Sequence, residues 1–210
     1  MSVTPPEIIS EGPSKPEVVS TENFTELLFN DTTSPVSVKV STDTAITSDR
    51  ATVEDSTFTA TPAAGESVKV SVTSTKVKSS TFTVEGEGAM KLQTKDSKFV
   101  DTTITGGADA DSVKFKGSTV VKNSETSLGA GDDSIVYGGK VKLKGDHTID
   151  LGVGGADTVV FKGGLKQIKG EVTITNFDEN DTLKVKGEGT FGYDDLKETK
   201  LDGIKIEFAD

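Results

Sequence analysis

The chain has 210 residues, a formal net charge of −11, 32% hydrophobic residues, and neither Cys nor Trp. Its acidity argues against the basic face that a nucleic-acid partner needs. The lack of Cys excludes disulfides, thiol chemistry and Cys-ligated zinc.

Pro5, Pro6, Pro13 and Pro16 lie among Glu, Ser and Lys. This composition packs no core, so an extended arm is expected at the N-terminus. The opening MSVTPPEIIS lacks the basic-then-apolar pattern of a secretory signal, and no apolar run is long enough for a membrane span. Two routes out of a cytoplasm are then expected: a C-terminally addressed secretion system, or release as part of a virus particle. Asn23-Phe24-Thr25-Glu26-Leu27-Leu28-Phe29 predicts a short helix capped by Asn23, with Phe24, Leu27 and Leu28 on one face. It would plug the first coil of a stack. The expected division is an arm and capping helix over 1–32, a β-solenoid over 33–177 and a capping segment over 178–210.

Thr and Val favour strands, and the abundant Gly, Ser and Asp favour turns. Residues 36–60 read as first coils in poor register, with Thr61-Pro62-Ala63-Ala64-Gly65 as a loop. Then a small-apolar-variable-apolar strand recurs, starting at Ser67, Ala89, Ser112, Ser134, Thr158 and Thr182. Six units at a near-fixed spacing are an internal repeat. The alternation gives each strand one inward face, and a solenoid needs only a thin continuous core, since each coil covers its neighbours. The expected fold is all-β: a right-handed parallel β-helix or β-roll-like solenoid with coils of about 22–24 residues, rising about 24 Å over five steps.

Just before the repeated strand the later coils share a turn. The turns are Gly107-Ala108-Asp109-Ala110-Asp111, Gly129-Ala130-Gly131-Asp132-Asp133, Gly152-Val153-Gly154-Gly155-Ala156-Asp157 and Glu179-Asn180-Asp181. Stacked aspartates about 4.8 Å apart repel by roughly 1 kcal/mol in water and about 3.5 kcal/mol at an effective dielectric of 20. A cation between them would relieve this, and oxygen donors without His or Cys select calcium. The bland alternative is that Gly, Asp and Ser are here only as turn formers.

The turns resemble the RTX nonapeptide G-G-x-G-x-D-x-U-x, the β-roll repeat of type I-secreted proteins. The resemblance implies calcium (Ca2+) held at Gly107, Asp109, Asp111, Gly129, Gly131, Asp132, Asp133, Gly154, Gly155, Asp157 and Asp181. The chain departs from that pattern in having one motif per longer coil, Asp109 where Gly is expected, and one extra residue in the third turn. Glu66 and Gly86-Glu87-Gly88 mark the same turn earlier without the full pattern. Residues 174–185, ITNFDENDTLKV, are similar to the I-x-x-F-x-x-x-D-x-L-x-L segment that closes many RTX domains.

Catalysis has little material. There is one His, His147, beside Asp146 on a turn and expected to be solvated, one Arg, Arg50, and two Tyr, Tyr137 and Tyr193. No acid–base or nucleophile set assembles from these, so a non-enzyme is expected. Lys69, Lys91, Lys114 and Lys184 recur at the outward strand position, as a solvated face or as a ladder for an anionic surface glycan. The expected function is a calcium-stabilised structural module of an extracellular assembly, such as a virion appendage or capsid decoration, docked to protein partners through its N-terminal arm. The alternative is a secreted RTX-type adhesin or glycan-binding module. An oligomer is compatible with either.

Overall fold

The computed structural model describes the backbone of Glu17–Val19, Glu26–Asn30, Ser37–Val40 and residues 45–209, and the side chains of residues 48–209. The chain is all-β, with 51% of it in strands and stacked parallel coils of about 22 residues forming a solenoid of about six turns. Each coil runs through three strands. Ser67–Thr73, Lys76–Lys78 and Thr81–Val84 make one coil, and Ala89–Lys95, Lys98–Val100 and Thr103–Thr105 make the next. Stacking generates three sheets, termed faces 1, 2 and 3 in the order the chain visits them.

Alternation decides which side chains go inward. Val53, Val77, Phe99, Val121, Leu143 and Ile168 stand in register on face 2, all buried. Phe58, Phe82 and Ile104 do the same on face 3. On face 1, Phe115, Tyr137 and Phe161 stack with ring centroids 5.1 Å apart at both steps. An aromatic of equal shape at one register position repeats the same contact coil after coil, so the thin core stays close-packed.

Corners are where a solenoid loses strand hydrogen bonds, and each corner repairs the loss in the same way. Between faces 1 and 2, Ser74 and Asp96 take the left-handed conformation at φ 50° and 52°. The residue after each points inward. The Thr75 N–H donates to Ser97 Oγ and the Ser97 N–H to Thr119 Oγ1, both at 3.2 Å. Between faces 2 and 3, Asp55, Ser79, Asp101 and Asn123 are left-handed. There the Ser56 N–H donates to Ser80 Oγ, the Thr102 N–H to Ser124 Oγ and the Ser124 N–H to His147 Nδ1. At these five positions the corner amide of one coil is thus satisfied by a side chain of the next, where a buried unpaired amide would cost about 1–3 kcal/mol.

Beyond Thr182–Val185 the chain doubles back as the antiparallel strand Gly189–Phe191, then forms the helix Tyr193–Glu198. Ile204–Phe208 adds to face 3 alongside Val172–Phe177. Phe208 packs edge-on against Phe177 and Tyr193, and Leu196 is buried. These segments cover the last coil.

Four expectations are corrected. Glu26–Asn30 is a strand paired in parallel with Ala45–Asp49, not a helix; residues 23–25 lie outside the described residues. A helix this short is marginal alone, and pairing on an existing sheet supplies the backbone bonds it would have made. Glu17–Val19 likewise joins face 3 beside Ser37–Val40, so the sheets begin inside the expected arm, of which residues 1–16 lie outside the described residues. Ser112 pairs with Lys91 rather than with Ala89, because register follows the inward pair Leu92 and Val113. The expected lysine ladder is therefore split: Lys69 aligns with Lys91, whereas Lys114 aligns with Gln93 and Val136.

Candidate functional site

The third corner, between faces 3 and 1, carries the Gly/Asp turns. Asp111, Asp133, Asp157 and Asp181 stack there in successive coils, each at most 4% exposed. They do what Ser and Thr do at the other corners. Asp111 Oδ1 accepts the Met90 N–H, and Asp133, Asp157 and Asp181 each accept the N–H of the preceding aspartate at 2.7, 2.8 and 2.9 Å. Asp111 Oδ2 also accepts the Gly107 N–H, and Asp181 Oδ2 the Asp178 N–H, both at 2.8 Å. Asp133 differs: its Oδ2 is buried with no hydrogen-bond partner.

Burial penalises the charge along this column. It pushes the Asp133 carboxyl up to about 8, Asp157 to about 7 and Asp111 to about 6, and it raises Asp181. Neighbouring carboxylates add to the rise, and the amide donors oppose it. Asp133 rises furthest, with one oxygen unpaired and charged neighbours in the coils on both sides.

The other sequence-derived residues serve the turns. Asp109 Oδ2 accepts the N–H of Gly65 at 2.6 Å, tying the first turn to the 61–65 loop. The exposed Asp132 accepts the Ala156 N–H at 2.9 Å. Gly129, Gly131, Gly154 and Gly155 have positive φ. Gly107 does not, and is required for a different reason: a Cβ there would lie 1.9 Å from the Gly88 carbonyl oxygen. Beyond the column, Gly152, Val153, Gly154, Asn176, Asp178, Glu179, Asn180, Tyr193 and Ala209 line an open cleft of about 540 Å³.

The calcium implied by the resemblance would need a carboxylate oxygen at this corner that no amide already occupies. Hard oxygen donors are present, but among the described residues no three His, Asp or Glu side chains come together as a cage. Every column Oδ1 is already an acceptor, as are Oδ2 of Asp111 and Asp181. A cation could therefore engage Asp133 Oδ2, the orphaned buried oxygen, or Asp157 Oδ2, which accepts no hydrogen bond, and would need peptide carbonyls for the rest of its shell.

His147 corrects a further expectation. It is 4% exposed, the first residue of the strand His147–Asp150, and closes the polar ladder at the second corner. Burial holds its imidazole below the ordinary range. The ladders themselves went unread in the sequence. Their signature is a left-handed Asp, Asn or Ser followed by Ser or Thr, as in Asp55-Ser56, Ser74-Thr75, Ser79-Ser80, Asp96-Ser97, Asp101-Thr102 and Asn123-Ser124.

None of the protein-family models, curated proteins or solved structures compared with the chain matches it.

Proposed function

We propose that this chain is a non-catalytic structural module, a rigid β-solenoid that serves as a surface component of an extracellular assembly such as a virion appendage or capsid decoration. The observation that carries the reading is the coil-to-coil bracing at all three corners, with side chains of one coil holding amides of the previous one. Such bracing stiffens the stack along its length and leaves three flat faces outward. The proline-rich segment 1–16 is assigned to docking on protein partners of the assembly.

Within this reading calcium binds at the Asp133 turn, where it supplies positive charge to the unpaired carboxylate oxygen. Asp133 then remains ionised, and the Asp111 N–H keeps its acceptor. The experiment is co-sedimentation. The chain should travel with assembled particles, and removing segment 1–16 should release it into the supernatant while its melting curve is unchanged. Free chain before truncation, or retention after it, argues against the assignment.

A second reading, a secreted RTX-type calcium-binding adhesin or glycan-binding module, is favoured by the Gly/Asp turns from Gly107 to Asp157. Recovery of the chain from culture supernatant, with a neighbouring type I exporter gene, would select it.

A further inference from the structure

Two faces of this solenoid share one backbone design and carry opposite surface chemistry. Face 3, from Thr57 to Thr175, has 12 outward strand positions: nine Thr, Ser127, Glu125 and Asp150, with no lysine. Face 2 has 11 outward positions, and seven are exposed lysines: Lys76, Lys78, Lys98, Lys122, Lys142, Lys144 and Lys169. Solubility would be served equally on both faces, so it does not account for the segregation. It occurs in a chain whose net charge is −11.

The lysines are stacked on one another rather than interleaved with acids. Lys76 pairs in register with Lys98, and Lys122, Lys144 and Lys169 follow one another in three consecutive coils. Like charges directly opposite across strands are destabilising. Of the seven, only Lys76 forms an ion pair with a described residue, at 2.5 Å to Glu54. The other six ammonium groups have no counter-charge within ion-pair reach among the described residues.

We propose that face 2 is a docking surface for a linear anionic polysaccharide, with its carboxylate or sulfate groups lying along the two lysine columns. The dimensions select a thin chain. The strands of face 2 are two or three residues long. The columns are therefore about 7 Å apart, and the stripe from Lys76 to Lys169 runs about 19 Å over four coil steps. Asp55, Asp101 and Asp146 border it at the corner with face 3, and Asp96 at the corner with face 1. A duplex is broader than such a stripe and would meet these carboxylates. Single-stranded nucleic acid calls for aromatic stacking platforms, and the outward positions of face 2 other than lysine hold Thr52, Glu54, Val100 and Val120. The inference stands independently of the structural role proposed above.

The test measures binding of the full chain to polygalacturonate, dextran sulfate, neutral dextran and a dT oligonucleotide of matched charge, at low and at physiological salt. One or both anionic glycans should bind, neutral dextran should not, and affinity should fall steeply with salt. The two anionic arms distinguish carboxylate from sulfate. Replacing Lys122, Lys144 and Lys169 together by Gln should raise Kd at least tenfold. The charge-matched control, Lys69, Lys91 and Lys114 to Gln on face 1, should change it less than twofold. Lys144→Gln alone, should the triple variant melt early, should weaken binding about threefold. Equal losses in both triple variants, no glycan binding at low salt, or tighter binding of the oligonucleotide would each overturn the proposal.

Discussion

Asp133→Asn isolates the cost of keeping a carboxylate in the third corner. In the folded chain burial holds this carboxyl at about 8, against an ordinary value of 3.8. A raised carboxyl pKa means that the folded state binds the extra proton. The associated stability is complete below the unfolded value and is lost as the pH rises through 8. Between pH 5.5 and 8.5 Asp133 should therefore remove about 3 kcal/mol from the unfolding free energy, at roughly 1.4 kcal/mol per pKa unit. Asn keeps the carbonyl oxygen that accepts the Asp111 N–H and cannot ionise. Its amide nitrogen takes the place of an oxygen that already lacks a partner, so little is lost there. Without metal, the margin by which the variant exceeds the parent should widen by about 3 kcal/mol between pH 5.5 and pH 8.5. Urea unfolding of both chains in a chelator, at the two pH values, measures the difference. Parallel pH slopes would show that Asp133 does not carry the titration, and the reasoning would fail.

Calcium should invert that pattern at alkaline pH: adding it at pH 8.5 should raise the parent's Tm by several degrees, while Asp133→Asn should respond little; equal shifts, or no bound metal by elemental analysis, would remove calcium from the corner. Ser97→Ala removes the acceptor of the Thr75 amide and a hydroxyl that also donates to the Lys95 carbonyl, so a loss of about 1–3 kcal/mol in urea unfolding is expected. Phe99→Ala, at a fully buried position packed edge-on against Phe115, should cost about 3–5 kcal/mol in the same assay. A loss under about 1 kcal/mol would mean that the coils close around the gap.

The repeat was legible because inward residues are chemically distinct and recur at a near-fixed spacing. Val68, Met90, Val113, Ile135, Val159 and Leu183 are apolar at every coil, and period-two alternation carries that signal without any alignment. Register between coils was less legible. Met90 and Leu92 are both inward and apolar, so sliding Ala89–Lys95 by one full alternation keeps the pattern intact, and only the paired backbone distinguishes Lys91 opposite Ser112 from Ala89 opposite Ser112. The split of the lysine ladder follows from that one shift.

The Gly/Asp turns show why a motif underdetermines a site. Stacked buried carboxylates read, from sequence, as charges that need a cation, because spacing reports repulsion and says nothing of nearby donors. The fold supplies those donors from the backbone: an aspartate at the third corner accepts the same class of amide that Ser97 accepts at the first and Ser124 at the second. Aspartate and serine are thus alternative answers to one problem, how a turning chain satisfies an inward N–H. They differ in that aspartate has a second oxygen. At Asp111 and Asp181 that oxygen also finds an amide, through the tight turns at Gly107 and Asp178. At Asp133 that oxygen is buried without one, and at Asp157 only Oδ1 accepts an amide. The place to look for an ion is therefore set less by the number of aspartates in the column than by which carboxylates the backbone fails to cover, and of these Asp133 holds the buried, partnerless oxygen.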